Sequence, residues 1–214
     1  MRATIFMLVV TLTTASSAPG ATVFFDDDGT HSIDDATFSA VAIDVRSMTT
    51  VNVVDPALIG NDNGFLSINA TENGVVNISG GTTVGGMVQA LQNAVVTITG
   101  GNLGENDDGV SLRALFGGRI DVFGGTFSGT FFEAGLGQFN VFGTGLSITD
   151  GILTGTLTDG TPLNNPVSGN IVLNDISVIP EPSSLVLLAC GALSMMTLGI
   201  GRAKRDQSEK SDCL

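Results

Sequence analysis

The chain has 214 residues, of which 14% are charged and 29 are glycine, about twice the usual share of glycine. It has no tryptophan or tyrosine and a single histidine, so aromatic platforms for bases or sugars and histidine-rich metal sites lack their usual residues. Residues 22–179 hold three arginines and no lysine against 17 of the 21 acids, a formal charge of −14 that repels nucleic-acid phosphates and anionic headgroups. We therefore expect no nucleic-acid partner.

The first twenty residues have the three parts of a secretory signal peptide. Arg2 supplies a short basic region, the apolar run 3–12 supplies the hydrophobic region, and Ala18-Pro19-Gly20 supplies a small-residue cleavage region. We predict that residues 1–20 are a signal peptide and that the exported chain begins at Ala21.

A short sequence motif recurs between residues 51 and 145. It alternates apolar and polar residues and ends in a glycine pair, as in 75–81 (VVNISGG), 95–101 (VVTITGG) and 119–125 (RIDVFGG), with weaker copies at 51–54 and 139–143. The second apolar position of each copy is residue 53, 78, 98, 122 or 141, so the copies are 19 to 25 residues apart. Alternation predicts strands and glycine pairs predict turns. A repeat this short cannot fold alone, but it can form one coil of a solenoid.

We therefore predict an all-β fold, a parallel β-solenoid or β-helix-like repeat domain over residues 51–145. The positions expected to point inward, stacked in columns, are Val76, Ile78, Val96, Ile98, Ile120 and Val122. The flanks 21–50 and 146–178 contain less regular short strands and are predicted N-terminal and C-terminal β caps, because terminal repeats must cover an open edge. An immunoglobulin-like or jelly-roll sandwich is the alternative that the same short strands allow.

Two weaker repeats accompany the main motif. One aligns Val84 with Leu103 and Phe127, and the other aligns three alanines, Ala90, Ala114 and Ala134. Both recur together with the main motif and belong to the same repeat.

Three acidic turns are candidate calcium sites. They are 26–29 (DDDG), 61–64 (NDNG) and 105–109 (ENDDG), and each gathers the oxygen ligands that Ca²⁺ prefers. None has the full EF-hand spacing, and Asp and Asn favour such turns without a metal. We predict no cofactor and no metal-ligating residue. Weak Ca²⁺ binding by these turns is the alternative that the sequence leaves open.

The sequence contains few residues suited to catalysis. His31 has no cysteine or second histidine beside it, and the carboxylate pairs Asp34-Asp35 and Asp107-Asp108 are adjacent acids of the kind that are usually solvated. Only Arg113 and Arg119 are available to a β-helix polysaccharide lyase, which needs basic residues for an acidic substrate. We predict no enzymatic activity and no catalytic residue; an exported β-helix polysaccharide-active enzyme, a lyase or hydrolase, is the alternative.

The C-terminal region contains a predicted membrane span. Ser183–Ile200 runs eighteen residues without a charge, and as a helix this length covers about 27 Å, close to the ~30 Å hydrocarbon core of a bilayer. Arg202, Lys204 and Arg205 follow directly, which by the positive-inside rule keeps the tail in the cytoplasm. We predict a transmembrane helix over residues 183–201 and a cytoplasmic tail over 207–214, with residues 22–179 outside.

A Pro-Glu-Pro tripeptide, Pro180-Glu181-Pro182, directly precedes this span. Residues 179–206 resemble the PEP-CTERM protein-sorting signal, because the tripeptide, the apolar span and the basic cluster follow one another in that order. The polar extension 206–214 is longer than the one such signals usually have. The glycine-rich repeats are similar to those common in exported proteins with such tails.

The resemblance implies a sorting signal made of Pro180, Glu181, Pro182, Arg202, Lys204 and Arg205. It also implies an exosortase-type processing enzyme as partner and extracellular polysaccharide as a further one. By this resemblance the exported protein is anchored transiently in the inner membrane and then resides at the cell surface or in the extracellular matrix. We expect a non-enzymatic surface protein.

Overall fold

The described part of the chain is built from β-strands. The computed structural model describes residues 21–35, 38–39, 41–60 and 65–176, and every regular element in them is a strand. In chain order the strands are β1 (Ala21–Phe25), β2 (Thr30–Ile33), β3 (Val41–Val45), β4 (Thr50–Val53), β5 (Leu58–Gly60), β6 (Leu66–Ala70), β7 (Val75–Ile78), β8 (Thr82–Val84), β9 (Met87–Leu91), β10 (Val95–Leu103), β11 (Val110–Leu115), β12 (Arg119–Phe127), β13 (Thr130–Ala134), β14 (Gln138–Thr149), β15 (Ile152–Leu157), β16 (Pro162–Ser168) and β17 (Ile171–Asp175).

Parallel pairing between successive coils organises these strands into three faces. Face A is the ladder β1–β3–β6–β9–β11–β13. Face B is the ladder β2–β4–β7–β10–β12–β14–β17. Face C is shorter and joins β5 and β8 to the C-terminal ends of β10 and β12. The chain therefore forms a parallel β-solenoid of about five turns, which confirms the predicted fold class for the described residues.

The register of face B is the one that the repeat predicts. Val53 pairs with Ile78, Ile78 with Ile98, Ile98 with Val122, and Val122 with Val141. The six residues predicted to point inward are all at most 1% exposed, namely Val76, Ile78, Val96, Ile98, Ile120 and Val122. A sandwich would pair neighbouring strands antiparallel, so the parallel ladders exclude that alternative.

Each of the two weaker repeats is offset by one residue from the observed pairing at one copy. Leu103 pairs with Phe127, but on its other side it pairs with Thr83, and Val84 is exposed. A slip of one residue turns a side chain to the opposite face of the sheet, so Val84 is exposed where Leu103 is buried.

The repeated alanines are offset from the observed strand pairing in a similar way. Ala90 and Ala114 pair with each other, whereas Ala134 pairs with Leu115. The register between β11 and β13 shifts between Val110 and Leu112, and that irregularity moves the pairing by one position.

Parallel pairing continues into both flanking segments. Ile33 of β2 pairs with Val53, and Leu173 of β17 pairs with Val141, so the central column of face B extends in both directions. Between β14 and β17 the chain makes an antiparallel excursion, in which β15 pairs with β14 and with β16. Three leucines of this excursion join the hydrophobic core: Leu153, Leu157 and Leu163.

Glycine pairs form the corner between faces B and C. Gly81, Gly101 and Gly125 have φ angles of 81°, 100° and 102°, in the left-handed region that favours glycine. A Cβ on Gly101 would lie 2.9 Å from the carbonyl oxygen of Gly80 in the preceding coil. The corner therefore needs glycine both for its backbone angle and for the close approach of successive coils.

Candidate functional site

The predicted sorting signal lies outside the described residues. Pro180, Glu181, Pro182, Arg202, Lys204 and Arg205 all follow the last described residue, Ile176, and so does the predicted transmembrane helix 183–201. The predicted signal peptide, residues 1–20, also lies outside. A search of the described segments for a helix long and apolar enough to cross a membrane finds none.

The first acidic turn uses its carboxylates within the fold. Asp27 Oδ1 accepts a hydrogen bond from the Gly29 backbone N–H (3.0 Å) and lies 2.8 Å from His31 Nε2. The hydrogen bond with His31, followed by that from Gly29, lowers the pKa of Asp27. Asp28 Oδ1 accepts from the backbone N–H of Met48 in the next coil (3.1 Å). These oxygens hold the turn and tie it to its neighbour.

The acidic turn over 105–109 is organised by an amide. Asn106 is buried, and its Oδ1 accepts hydrogen bonds from the backbone N–H groups of Asp108 (3.1 Å) and Val110 (2.8 Å). The third turn, 61–64, lies outside the described residues. Within the described ranges no three His, Cys, Asp or Glu side chains are grouped so that they could hold a metal ion.

The candidate catalytic groups are not brought together. Asp34, Asp35, Asp107 and Asp108 are all exposed. Arg113 lies in β11 on face A and Arg119 in β12 on face B, so the two arginines do not share a surface. Arg119 is ion-paired, because its Nε lies 3.0 Å from Asp121 Oδ2. The other oxygen, Asp121 Oδ1, accepts a hydrogen bond from Asn140 Nδ2 at 2.6 Å.

Face A carries a polar column that the sequence analysis did not identify. On its side away from the core, one residue of each successive strand stands in register with the next, and we call these six residues the face A column: Phe24, Asp44, Asn69, Gln89, Arg113 and Phe132. Strands stack about 4.7–4.9 Å apart, so the column presents one side chain per coil along the solenoid axis.

Hydrogen bonds connect the first half of this column. Arg46, just after β3, donates to Asp44 through Nε to Oδ1 (3.0 Å) and through Nη2 to Oδ2 (2.8 Å), and its guanidinium lies over the Phe24 ring at 4.6 Å. Hydrogen bonds and charge from Asp44 raise the pKa of Arg46. Asn69 Nδ2 donates to Asp44 Oδ2 (3.3 Å), and Gln89 Nε2 donates to Asn69 Oδ1 (3.0 Å).

The second half of the column is different. The Arg113 guanidinium lies over the Phe132 ring, 5.5 Å from its centroid, and Arg113 Nε is buried without a hydrogen-bond partner in the described structure. Among the described residues Arg113 also has no carboxylate within ion-pair distance. The last polar residue of the column is thus an arginine whose Nε makes no hydrogen bond in the described structure.

A sequence signal for the column exists. In four strands a single polar residue stands between two inward apolar ones, in the triplets 43–45 (IDV), 68–70 (INA), 88–90 (VQA) and 112–114 (LRA). The glycine pairs that reveal the repeat lie at another corner, and the loops before face A differ in length.

Comparisons of the chain with protein-family models, with curated proteins and with solved structures find no match.

Proposed function

We propose that this protein is a non-enzymatic surface or extracellular-matrix-associated protein, exported by a signal peptide and sorted at a PEP-CTERM signal. The observation that carries the proposal is the order of features in the C-terminal sequence: Pro180-Glu181-Pro182, an uncharged span, and the basic cluster 202–205. Proline fixes φ and has no backbone N–H to donate, so a Pro-Glu-Pro sequence favours an extended segment over a paired strand. An extended segment is what a membrane-embedded processing enzyme of the exosortase type needs to bind.

The described fold supports a non-enzymatic role. Arg113 and Arg119, the two basic residues that a lyase would use, lie on different faces, and Arg119 is committed to Asp121. The carboxylate pairs are exposed. Asp27 accepts a hydrogen bond within its own turn, and Asp28 accepts one from Met48 in the next coil. A general acid and base must act on one bond from fixed positions, and no such pair is assembled here among the described residues.

Extracellular polysaccharide is the further partner that the resemblance to a sorting signal implies. The experiment that tests the sorting proposal alters the C-terminal tail, because the proposed signal lies within residues 180–205.

The test replaces Pro180, Glu181 and Pro182 by alanine in a host that has an exosortase. Cell fractions are blotted for the wild-type and variant chains. We expect the wild-type chain to appear as a product that is shortened at both ends and located outside the inner membrane. The variant should appear as a longer form that stays in the membrane, because its three cations cannot cross the hydrocarbon core.

A matched control replaces three residues of the polar extension, Ser208, Glu209 and Lys210, by alanine. This control should be processed like the wild type, since the extension lies beyond the basic cluster. Equal amounts of full-length membrane protein in the wild type and the tripeptide variant would overturn the sorting proposal.

A further inference from the structure

Two bulky apolar side chains are exposed at the corner between faces A and B in the last coils. Phe116 lies in the turn between β11 and β12, and Leu136 lies in the turn between β13 and β14. Phe116 is 66% exposed, and Leu136, at 87%, is the most exposed large apolar side chain among the described residues. The Phe116 backbone N–H donates to the Gly135 carbonyl oxygen (3.1 Å), so the two turns are in contact. We call Phe116 and Leu136 the apolar corner.

The fold does not require apolar residues at these positions. Phe116 and Leu136 have φ angles of 51° and 72°, in the left-handed region that bulky side chains rarely adopt. The equivalent turn between β9 and β10 has Gln92 and Asn93 at 52° and 67°, so polar residues form the same turn elsewhere in the solenoid. Bulky residues that are both strained and exposed point to a contact outside the fold.

The charge of this corner changes along the solenoid. The turns before β2 and β7 contain the acids of 26–29 (DDDG) and Glu72, whereas the two turns of the apolar corner, 116–118 (FGG) and 135–137 (GLG), contain no charged residue. Carboxylates are costly to bring into an apolar environment. An uncharged turn with an exposed apolar side chain avoids that cost at a lipid surface.

The chain leaves the described fold beside the strand that follows the apolar corner. The Ile176 backbone N–H donates to the Gly143 carbonyl oxygen of β14 (2.7 Å). Leu136 lies seven residues before Gly143, which is about 23 Å along an extended strand. Six residues, 177–182, separate Ile176 from the predicted span that begins at Ser183, and they cover at most about 25 Å. The apolar corner is therefore within reach of the bilayer that the proposed span would occupy.

We infer that the apolar corner inserts into the interfacial region of a lipid bilayer without net charge while the tail is anchored. The inference rests on the proposed export and anchoring. Transfer of the exposed Leu136 and Phe116 side chains out of water supplies the free energy. The formal charge of −14 on residues 22–179 repels anionic headgroups, and it also opposes contact with a second copy of the same domain.

The test uses tryptophan, which the chain lacks, as a reporter at single positions. The full-length variants Leu136→Trp and Phe116→Trp are reconstituted through their tails into vesicles of phosphatidylcholine. Parallel vesicles contain the same lipid brominated on its acyl chains, because bromine quenches tryptophan that lies within the bilayer. Circular dichroism checks that each variant keeps its β-structure.

The matched control is Met48→Trp. Met48 is 68% exposed at the same corner, between β3 and β4. The ladder β4–β7–β10–β12–β14 places it four strand spacings, about 19 Å, from the strand beside which the chain leaves the fold.

We expect Leu136→Trp to lose about half of its emission in the brominated vesicles, because interfacial side chains lie about 5–10 Å into the boundary between headgroups and acyl chains. Phe116→Trp should lose less, and Met48→Trp should not change. In phosphatidylglycerol vesicles the quenching at residue 136 should weaken at low salt and return when salt is added.

Equal emission of Leu136→Trp in plain and brominated vesicles would overturn the inference, and so would equal quenching of Leu136→Trp and Met48→Trp. Stronger quenching in anionic than in uncharged vesicles would contradict the assigned lipid. An emission shift that follows protein concentration without quenching would identify a second copy as the occupant and would also overturn the inference.

The outcomes separate this inference from the proposed function. A chain that floats with the vesicles but shows no quenching at residue 136 overturns the inference alone. A chain that is quenched at residue 136, but whose Pro-Glu-Pro variant accumulates in the same form as the wild type, overturns the sorting proposal alone.

Discussion

The Asp159 carboxylate closes the glycine corner of the solenoid by accepting a hydrogen bond from the backbone N–H of Gly125, 34 residues earlier in the chain (2.8 Å). Its other oxygen accepts from the backbone N–H of Thr161 (2.8 Å). At the opposite end of the glycine series, Asp55 Oδ1 accepts from the Gly81 backbone N–H (2.6 Å). An aspartate thus satisfies the outermost glycine of the corner at each end.

This contact predicts a stability that depends on pH. Burial by itself raises the pKa of Asp159, but hydrogen bonds from Thr161 and Gly125 outweigh it, so the pKa lies below its ordinary value. A carboxyl with a depressed folded pKa stabilises the fold above its unfolded pKa of about 3.9 and loses that contribution as the pH falls through the folded value. Asp159→Asn should therefore lower the melting temperature at neutral pH, and the difference from wild type should shrink in acid.

The matched control for this measurement is Asp150→Asn. Asp150 is an exposed turn residue with a φ of 52°, a conformation that asparagine also adopts readily. Its melting temperature should follow the wild type at every pH. A difference between Asp159→Asn and wild type that stays constant from neutral to acidic pH would contradict the role given to the carboxylate.

The central column of face B predicts a strong effect of charge at Ile98. Ile98 is fully buried and stacks between Ile78 and Val122. Ile98→Asp removes apolar burial and places a carboxylate without a partner in the core, which we expect to cost more than about 4 kcal/mol of unfolding free energy. The measurement is the denaturant midpoint, or the soluble yield if the variant does not fold.

Two further variants make this result interpretable. Asn102→Asp introduces the same charge in the same strand at an exposed position, and it keeps the oxygen that accepts from Thr126 Oγ1 (2.9 Å), so its midpoint should stay near that of wild type. Ile98→Val should cost only about 1 kcal/mol. Equal midpoints for Ile98→Asp and Asn102→Asp would show that the assigned inward register is wrong.

The glycine corner predicts a cost that goes beyond backbone angle. Gly101→Ala forces a Cβ onto a residue with a φ of 100° and places it 2.9 Å from the Gly80 carbonyl oxygen. Gly160→Ala imposes a similar angle, with a φ of 89°, where a Cβ would meet nothing within 4 Å. We expect about 1 kcal/mol for Gly160→Ala and at least about 2 kcal/mol for Gly101→Ala in urea unfolding. Equal losses would mean that the coils do not approach closely at this corner.

The amino-acid sequence by itself determined the coil and the register of face B. Alternating residues and glycine pairs are local signals. Three copies carry both signals and the weaker copies at Val53 and Val141 carry the alternation, so aligning them with Ile78, Ile98 and Val122 needed no knowledge of distant contacts. The interpretation of the tail depends on sequence alone for a similar reason, since the sorting signal is a continuous stretch of chain.

Only the tertiary structure decided the face A column and the contact between Asp159 and Gly125. Coils of 19 to 25 residues differ in their loops, and an error of one residue in a loop turns a side chain to the other face of its strand. Asp44, Asn69, Gln89 and Arg113 share an apolar-polar-apolar triplet, but only backbone pairing places the four triplets in one column. Asp159 reaches Gly125 because the antiparallel excursion of β15 and β16 folds back onto the corner, and that path depends on burying Leu153 and Leu157 in the core.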